Sequence, residues 1–376
     1  LRDRVNIIVT SQELDLSLHK NTYSFKSLRD VISFIQNNNY KLKLGDNYII
    51  GGEMVYVDAL KFLHIDNIYL TRVYGKFECD KTFMDKKSFY EKMSKYNLTR
   101  VSPFKCDNGL YYRFLQYSYN DANRPLFYNL EENQYLQILK KILDEGLERD
   151  DRTGTGTLAT FGERQEYDLS DTFPLLTTKR IFSRAIFEEL MLYLRGQTDN
   201  KILNEKDLHI WDGNTTREFL DGRGLTEYPE GDMGETYGFN FRHFGGEYKD
   251  CHTEYEKGNG FDQLENAINL IKNDPCSRRI IISLWNPNTN HKAALPSCLC
   301  WYQFFVDTKR NRLNLQIYIR SSDVFLANNW NSTCGALFVH LLCNLEGIDL
   351  TPGDLTVFIA DAHLYKTHHE VLRFLR

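Results

Sequence analysis

The sequence predicts two domains, an α/β unit followed by a larger unit in which helices lead into a strand-rich last third. Three observations carry this reading. A chain of 376 residues exceeds what one domain of ~100–200 residues usually holds. Its first ~120 residues alternate strand-like apolar runs with helical stretches, as α/β units do. Between Asn120 and Leu130 the periodicity lapses, and Asp121, Asn123 and Pro125 mark a linker, which places the units at 1–119 and 131–376.

In the first unit, Val5–Thr10 and Asn47–Ile50 read as strands, while Asn67–Val73 and the aromatic–polar alternation of Gly109–Tyr119 read as closing strands. The run Tyr48–Ile50 enters Gly51-Gly52 and then a helical stretch holding Tyr56. Side-chain-free residues at a strand-to-helix turn admit a phosphate to the helix N-terminus, although a tight turn is the commoner use of one Gly-Gly pair.

In the second unit a helix is expected from Glu131 to about Leu147, with Tyr135, Ile138, Leu139, Ile142 and Leu143 at helical spacing. It leads into Asp150–Thr157, whose Arg152, threonines and glycines suit either a solvated loop or a phosphate lid. A second helix spans Phe182–Leu194. Its apolar stripe of Phe182, Ala185, Ile186, Leu190 and Tyr193 takes Glu189 with it, while Glu188 pairs outward with Arg184. A carboxylate held against apolar surface is expensive to ionise. Glu189 is therefore either an acid/base group or a structural carboxylate satisfied by one ion pair.

Ser277–Ser283 opens a strand with Arg278 and Arg279. The strand Leu313–Arg320 separates Leu313, Leu315, Ile317 and Ile319 from Asn314, Gln316, Tyr318 and Arg320, a polar face fit to line a pocket or to meet solvent. It runs into Ser321-Ser322-Asp323 and then Asn328–Asn331. Leu295-Pro296-Ser297-Cys298 puts a thiol at the head of the strand Leu299–Val306. A strand cysteine is ordinarily an inert core residue; a thiolate nucleophile needs a nearby cation, for which Arg320 is the candidate. After the strand Leu355–Ile359, His363 and Tyr365 could hold a sugar hydroxyl, with a satisfied core histidine as the alternative.

Lys and Arg number 46 against 51 Asp and Glu, a net charge of -5, so no global positive field draws nucleic acid or anionic lipid, and any anion site is local. With 42% apolar residues, including 23 Tyr and 24 Phe, the chain can fill sizeable cores. No apolar run reaches the ~18–20 residues of a membrane span; Ala293–Val306 is broken by Pro296, Ser297 and Gln303. Leu1–Ile7 shows no secretory signal. Eight cysteines without a CxxC pair favour free thiols in the cytoplasm and no metal site.

Taken in order, a series of motifs resembles thymidylate synthase across Glu131–Arg376. It comprises Arg152 with Thr153–Thr157, Phe173–Arg180, Ile210-Trp211-Asp212, Tyr237-Gly238, Arg278-Arg279, Trp285-Asn286-Pro287, Leu295-Pro296-x-Cys298, Arg320-Ser321-x-Asp323, Asn331 and His363-x-Tyr365. Before it, Arg4–Ser11, Ile50-Gly51-Gly52 with Tyr56, Ile68–Thr71 and Gly109–Tyr119 resemble the later part of dihydrofolate reductase. The resemblance implies a partial α/β reductase with a mixed central sheet, then an α+β synthase fold with a dimer across its helix-packed sheet.

It also implies reductive methylation of dUMP to dTMP with 5,10-methylenetetrahydrofolate. Cys298 would attack carbon 6 of dUMP, Glu189 and Tyr237 would move protons, and Arg320 would bind phosphate and stabilise the thiolate. The nucleotide is expected on Arg152, Arg320, Ser321, Ser322, Asp323, Asn331, His363 and Tyr365, with Arg278 and Arg279 supplied across a homodimer interface. Trp211, Asn214 and Asp323 would face the folate. In the reductase portion, NADPH would lie along Thr10, Ser11, Gly51, Gly52 and Tyr56, and Thr71 would help bind the pteridine.

Two stretches depart from the family pattern: Leu299 follows the nucleophile where His is usual, and Ala327-Asn328-Asn329-Trp330 replaces a familiar Gly-x-Pro-Phe. The first strand, substrate-binding acid and first cofactor loop of a reductase would precede Leu1, and the tail that closes over folate would follow Arg376. The expectation is a chain that does not itself reduce dihydrofolate and binds dUMP better than it turns it over. Alternative activities are a pyrimidine nucleotide hydroxymethylase, which Asn331, Trp211 and Asn214 oppose, and a non-catalytic nucleotide- or RNA-binding relative, which Cys298, Glu189 and the arginines oppose. No nucleic acid and no membrane partner is required.

Overall fold

The computed structural model describes residues 4–17, 19–42, 46–75, 86–93, 95–119, 130–151, 154–170, 172–369 and 372. The chain divides into two compact units, Leu1–Tyr128 and Asn129–Arg376. The expected linker 120–130 lies outside the described residues except for Leu130, which opens a helix.

In the first unit β1 (Asn6–Val9) pairs in parallel with β2 (Thr22–Phe25), and α1 (Leu28–Leu42) packs on both. After α2 (Glu53–Phe62) come β3 (Asn67–Tyr74), α3 (Lys86–Met93), β4 (Tyr96–Val101), β5 (Lys105–Asp107) and β6 (Leu110–Tyr119). Strand β6 is the centre of an antiparallel sheet, flanked by β3 and by β4 with β5. Met93, Leu98, Leu115 and Tyr117 form its small core. The expected strand Asn47–Ile50 is absent: it finds no ladder partner among the described residues and leaves Tyr48 61% and Ile50 76% exposed. β-branched residues favour an extended chain, yet a strand exists only where another backbone completes its hydrogen bonds.

The second unit opens with α4 (Leu130–Glu145), which lays Tyr135, Leu139 and Ile142 into the core beside β8. Strands β7 (Leu147–Arg149), β8 (Thr157–Asp168), β9 (Ile281–Ser283), β10 (Leu299–Asp307), β11 (Arg312–Asp323) and β12 (Thr351–Tyr365) form one sheet in the order β7-β8-β12-β11-β10-β9. Only β11 and β12 run parallel. The helices are α5 (Ser183–Leu194), the short α6 (Lys201–Asn204), α7 (Asp212–Thr215), α8 (Arg217–Gly222) and α9 (Tyr237–Arg242), then α10 (Gln263–Asn273) and α11 (Asn328–Cys343). Helices α5 and α11 pack together, with α11 also against β11 and β12. No helix among the described residues is long and apolar enough to cross a membrane.

Strand β11 alternates as expected, with Leu313, Leu315, Ile317 and Ile319 buried beneath the helices. Its other face divides, with Arg320 reaching the turn that carries Cys298 and Tyr318 lying among aromatic side chains. Tyr318 stacks flat on Trp301 at 4.3 Å, and Phe305 on the same face is 64% exposed. Inside, the Arg312 guanidinium, 1% exposed, donates to Asp168 at 2.6 Å and to Asp354 at 3.2 Å, tying β8, β11 and β12 at one end. At the other end Ser321 pairs with Asp361 and Asp323 with His363, so two motifs far apart in sequence become neighbours. Both are strand ends, and Asn328–Asn331 is the first turn of α11, not a loop. Gly238 in α9 lets the backbone meet Gln197: a Cβ there would lie 2.0 Å from the Gln197 carbonyl oxygen.

Candidate active site

Cys298 stands exposed and free immediately before β10. Two residues hold its turn. The Tyr237 hydroxyl of α9 accepts the Cys298 N–H at 2.8 Å. From β11, the Arg320 N–H donates to the Cys298 carbonyl at 2.9 Å, and its guanidinium donates to the carbonyls of Ser297 at 2.9 Å and Pro296 at 3.0 Å. That leaves Arg320 Nη2 3.8 Å from Cys298 Sγ, with the guanidinium over the Trp285 ring at 5.2 Å. Cys298 Sγ thus stands beside a positive charge held in place by two carbonyls.

Glu189 lies on the buried face of α5, where β-structure and helices exclude water. Its Oε1 accepts hydrogen bonds from the Tyr193 hydroxyl and from Trp211 Nε1, each at 2.8 Å, and its Oε2 accepts from Trp330 Nε1 at 2.6 Å. Burial pushes its carboxyl above the usual range, and the three donors pull it back. None of these partners is a cation, so the ion-pair alternative fails. Glu188 pairs outward with Lys206 at 2.5 Å instead of Arg184, whose guanidinium is taken by the Lys206 carbonyl at 2.6 Å. Tyr237 stacks on Tyr193 at 4.8 Å, which links the acid to the turn of the thiol, and burial keeps its phenol neutral.

A third group gathers where β11 and β12 end. Ser321 is half-buried and Ser322 buried. Asp323 is 10% exposed and spends Oδ1 on the N–H groups of Phe325 at 3.0 Å and Leu326 at 3.1 Å, capping the turn into α11. His363 Nδ1 lies 2.8 Å from Asp361 Oδ1, and Arg149 donates to Asp361 Oδ2 at 2.6 Å. The His363 contact, helped by Arg149, holds the Asp361 carboxyl below its usual range. Tyr365 meets the His363 ring edge-on at 5.6 Å. Asn331 is half-buried and turns its Nδ2 to the Ala327 carbonyl at 3.4 Å. Trp211 is buried against Glu189, and Asn214 stays half-buried one turn on. Arg278 and Arg279 are exposed just before β9 and outside it, and Arg152 lies outside the described residues.

The family model described as thymidylate synthase matches residues 133–375, and the one described as dihydrofolate reductase matches residues 1–118. The chain is 36% identical over 375 residues to the bifunctional dihydrofolate reductase-thymidylate synthase of Paramecium tetraurelia, covering 99% of this chain and 77% of that protein. The chain belongs to the bifunctional dihydrofolate reductase–thymidylate synthase family. Its relative from Glycine max is 36% identical over 396 residues, covering 98% of this chain and 74% of that protein. The one from Leishmania amazonensis is 38% identical over 335 residues, covering 87% and 62%.

In the reductase domain, Gly52 caps α2 at a φ of 79° without a side-chain cap, and a Cβ on Gly51 would meet nothing within 4 Å. The positive φ of Gly52 is what this turn asks of a glycine. Tyr56 sits one turn along, its N–H on the Gly52 carbonyl at 3.0 Å. Thr10 is bonded to β2 through its N–H, Ser11 is exposed beside it, and Thr71 is exposed on β3 opposite Phe114.

In the synthase domain, sequence reasoning missed the partners of Glu189. Tyr193 is four residues on, one turn along α5, and was findable from spacing alone. Trp330 stood in the departing stretch before Asn331, but only the packing of α11 on α5 reveals where its indole goes. Leu299 is buried at the head of β10, and its side chain brings no polar group to the place where His is usual.

Proposed function

We propose that the synthase domain, residues 131–376, methylates dUMP with the residues assembled around Cys298, and that residues 1–119 carry the reductase portion. The observation that carries the reading is the Arg320 guanidinium, which spans the carbonyls of Pro296 and Ser297 while standing 3.8 Å from Cys298 Sγ. One side chain thus shapes the nucleophile's turn and charges its surroundings.

In this reading the Cys298 thiolate adds to carbon 6 of dUMP, which makes carbon 5 nucleophilic toward the one-carbon unit. 5,10-Methylenetetrahydrofolate supplies that unit and the hydride that completes the methyl group. Glu189 exchanges protons with the pyrimidine through water; loss of the carbon 5 proton breaks the bond between the one-carbon unit and the folate nitrogen, and hydride addition to the resulting methylene restores the enolate that expels Cys298 as thiolate. Tyr237 acts on the turn of Cys298. The nucleotide phosphate takes Arg320, Ser321 and Arg152, with Arg278 and Arg279 from a second copy of the chain. Ser322 and Asp323 shape the strand end, Asn331 faces the uracil amide edge, and His363 with Tyr365 holds the sugar hydroxyl. Asn214 meets the folate, beside Trp211 and Asp323.

The sheet face bearing Trp301, Tyr318 and Phe305 supports a homodimer, since a flat aromatic face of this kind marks an interface. The exposed Arg278 and Arg279 are then free to reach a partner's phosphate. In the reductase portion, Gly51, Gly52, Tyr56, Thr10 and Ser11 would hold NADPH, which supplies hydride there, and Thr71 the pteridine. Free thiols support a cytoplasmic setting.

Incubation with 5-fluoro-dUMP and methylenetetrahydrofolate tests the reading. A covalent adduct on Cys298, absent in Cys298→Ser, is expected by mass spectrometry; an unmodified Cys298 in the dimeric protein would overturn it.

A further inference from the structure

We infer that Trp330 is a positioning residue for the proton chemistry, fixing Glu189 through its indole N–H; the inference rests on the role given to Glu189 above. The two carboxylate oxygens are unequally served. Oε1 has two buried donors, Tyr193 and Trp211, whereas Oε2 has the half-buried Trp330 at 2.6 Å. Because Trp330 is the more exposed of the three, Oε2 is the oxygen on the side that communicates with the open site.

The titratable groups facing Glu189 are Tyr193 from its own helix, Tyr237 from α9, Tyr302 from β10 and Cys334 from α11. Burial holds all four neutral. With no positive charge among these partners, hydrogen bonds are what offsets the burial of the carboxylate, and one of the three comes from Trp330. A phenylalanine at this position, as in the familiar Gly-x-Pro-Phe stretch, fills similar space and donates nothing. The departure at Ala327–Trp330 therefore adds a donor to the acid at the site of the chemistry.

Trp330→Phe keeps an aromatic ring and deletes the N–H; Trp330→Gln returns a donor without the ring. The Glu189 carboxyl is followed by difference infrared spectroscopy of the full chain against Glu189→Gln, without substrate. In Trp330→Phe its titration midpoint is expected to rise by about one pH unit, as loss of one donor to a buried carboxylate requires. Trp330→Gln is expected to bring it back toward the parent value. In turnover, the pH limb of kcat that belongs to Glu189 moves the same way, while the KM for dUMP holds. An unmoved midpoint in folded Trp330→Phe, checked by near-ultraviolet circular dichroism, overturns the inference; should that variant not fold, Trp330→Met carries the same test. The infrared readout needs no activity, so a failure of Trp330 to act on Glu189 is told apart from a failure of the synthase reading, which absence of dTMP formation would show.

Discussion

Arg320 does three things with one planar group, and a lysine could do only one of them. Its fork reaches two carbonyls in fixed directions while its charge faces the thiol; an ammonium is a point donor on a flexible stem. Arg320→Lys is thus expected to weaken dUMP binding by about 10–100-fold, the loss of one or two charge-assisted hydrogen bonds, as read by calorimetry. Adduct formation with 5-fluoro-dUMP should slow along with it. Asp361 gives a pH signature at the same scale. His363 first, then Arg149, holds its carboxyl low, so the folded form releases this proton more readily than the unfolded chain. The stability it contributes is present above the ordinary carboxylate range and lost as pH falls through the lower folded value. Asp361→Asn should cost about 1 kcal/mol in urea unfolding at neutral pH and little in strong acid.

Among the elements, β8, β11 and β12 share the buried Arg312 with Asp168 and Asp354. Removing the cation leaves Asp168, 10% exposed, as a buried carboxylate without its ion pair, with the more exposed Asp354 carboxylate beside it. Arg312→Ala is expected to destabilise the second unit by about 3–5 kcal/mol in denaturant melts. The surface pair Arg164–Glu166 offers a control, where Arg164→Ala should change stability by less than about 1 kcal/mol. These strands also show what the sequence makes legible. Period-two burial along Leu313–Ile319 and the stripe Ala185, Ile186, Leu190 and Tyr193 were readable because one face of each is packed, whereas Phe182, expected in that stripe, precedes α5 and is 53% exposed, since no turn of helix before it carries it onto the core. The short helices between Asp199 and Arg242 were not readable, because distant groups hold them. Buried Asp232 gathers the Tyr248 hydroxyl at 2.5 Å and the N–H groups of Gly234 at 2.7 Å and Cys251 at 2.9 Å. The site divides in the same way. Cys298 and Arg320 were named from sequence, whereas the cage around Glu189 draws on α5, α11 and the residue before α7, and no local pattern joins those.

For the whole molecule, the proposed exchange of arginines makes a direct prediction by complementation. Cys298→Ala chains and Arg278→Ala/Arg279→Ala chains should each be inactive as homodimers. In a mixed dimer the site that keeps Cys298 receives intact arginines from the other chain. Random mixing of the two in equal amounts is therefore expected to restore about a quarter of the parental activity, since half the dimers are mixed and each has one whole site. No recovery, with mixed dimers confirmed by native mass spectrometry, would place those arginines in their own chain's site. The open aromatic face of Trp301, Tyr318 and Phe305 carries a consequence for the life of a new chain. In the proposed homodimer, finishing the fold and becoming an enzyme are separate events, divided by a chance meeting. At scarce expression that meeting sets the delay, and the first activity in a cell rises with the square of the number of chains made.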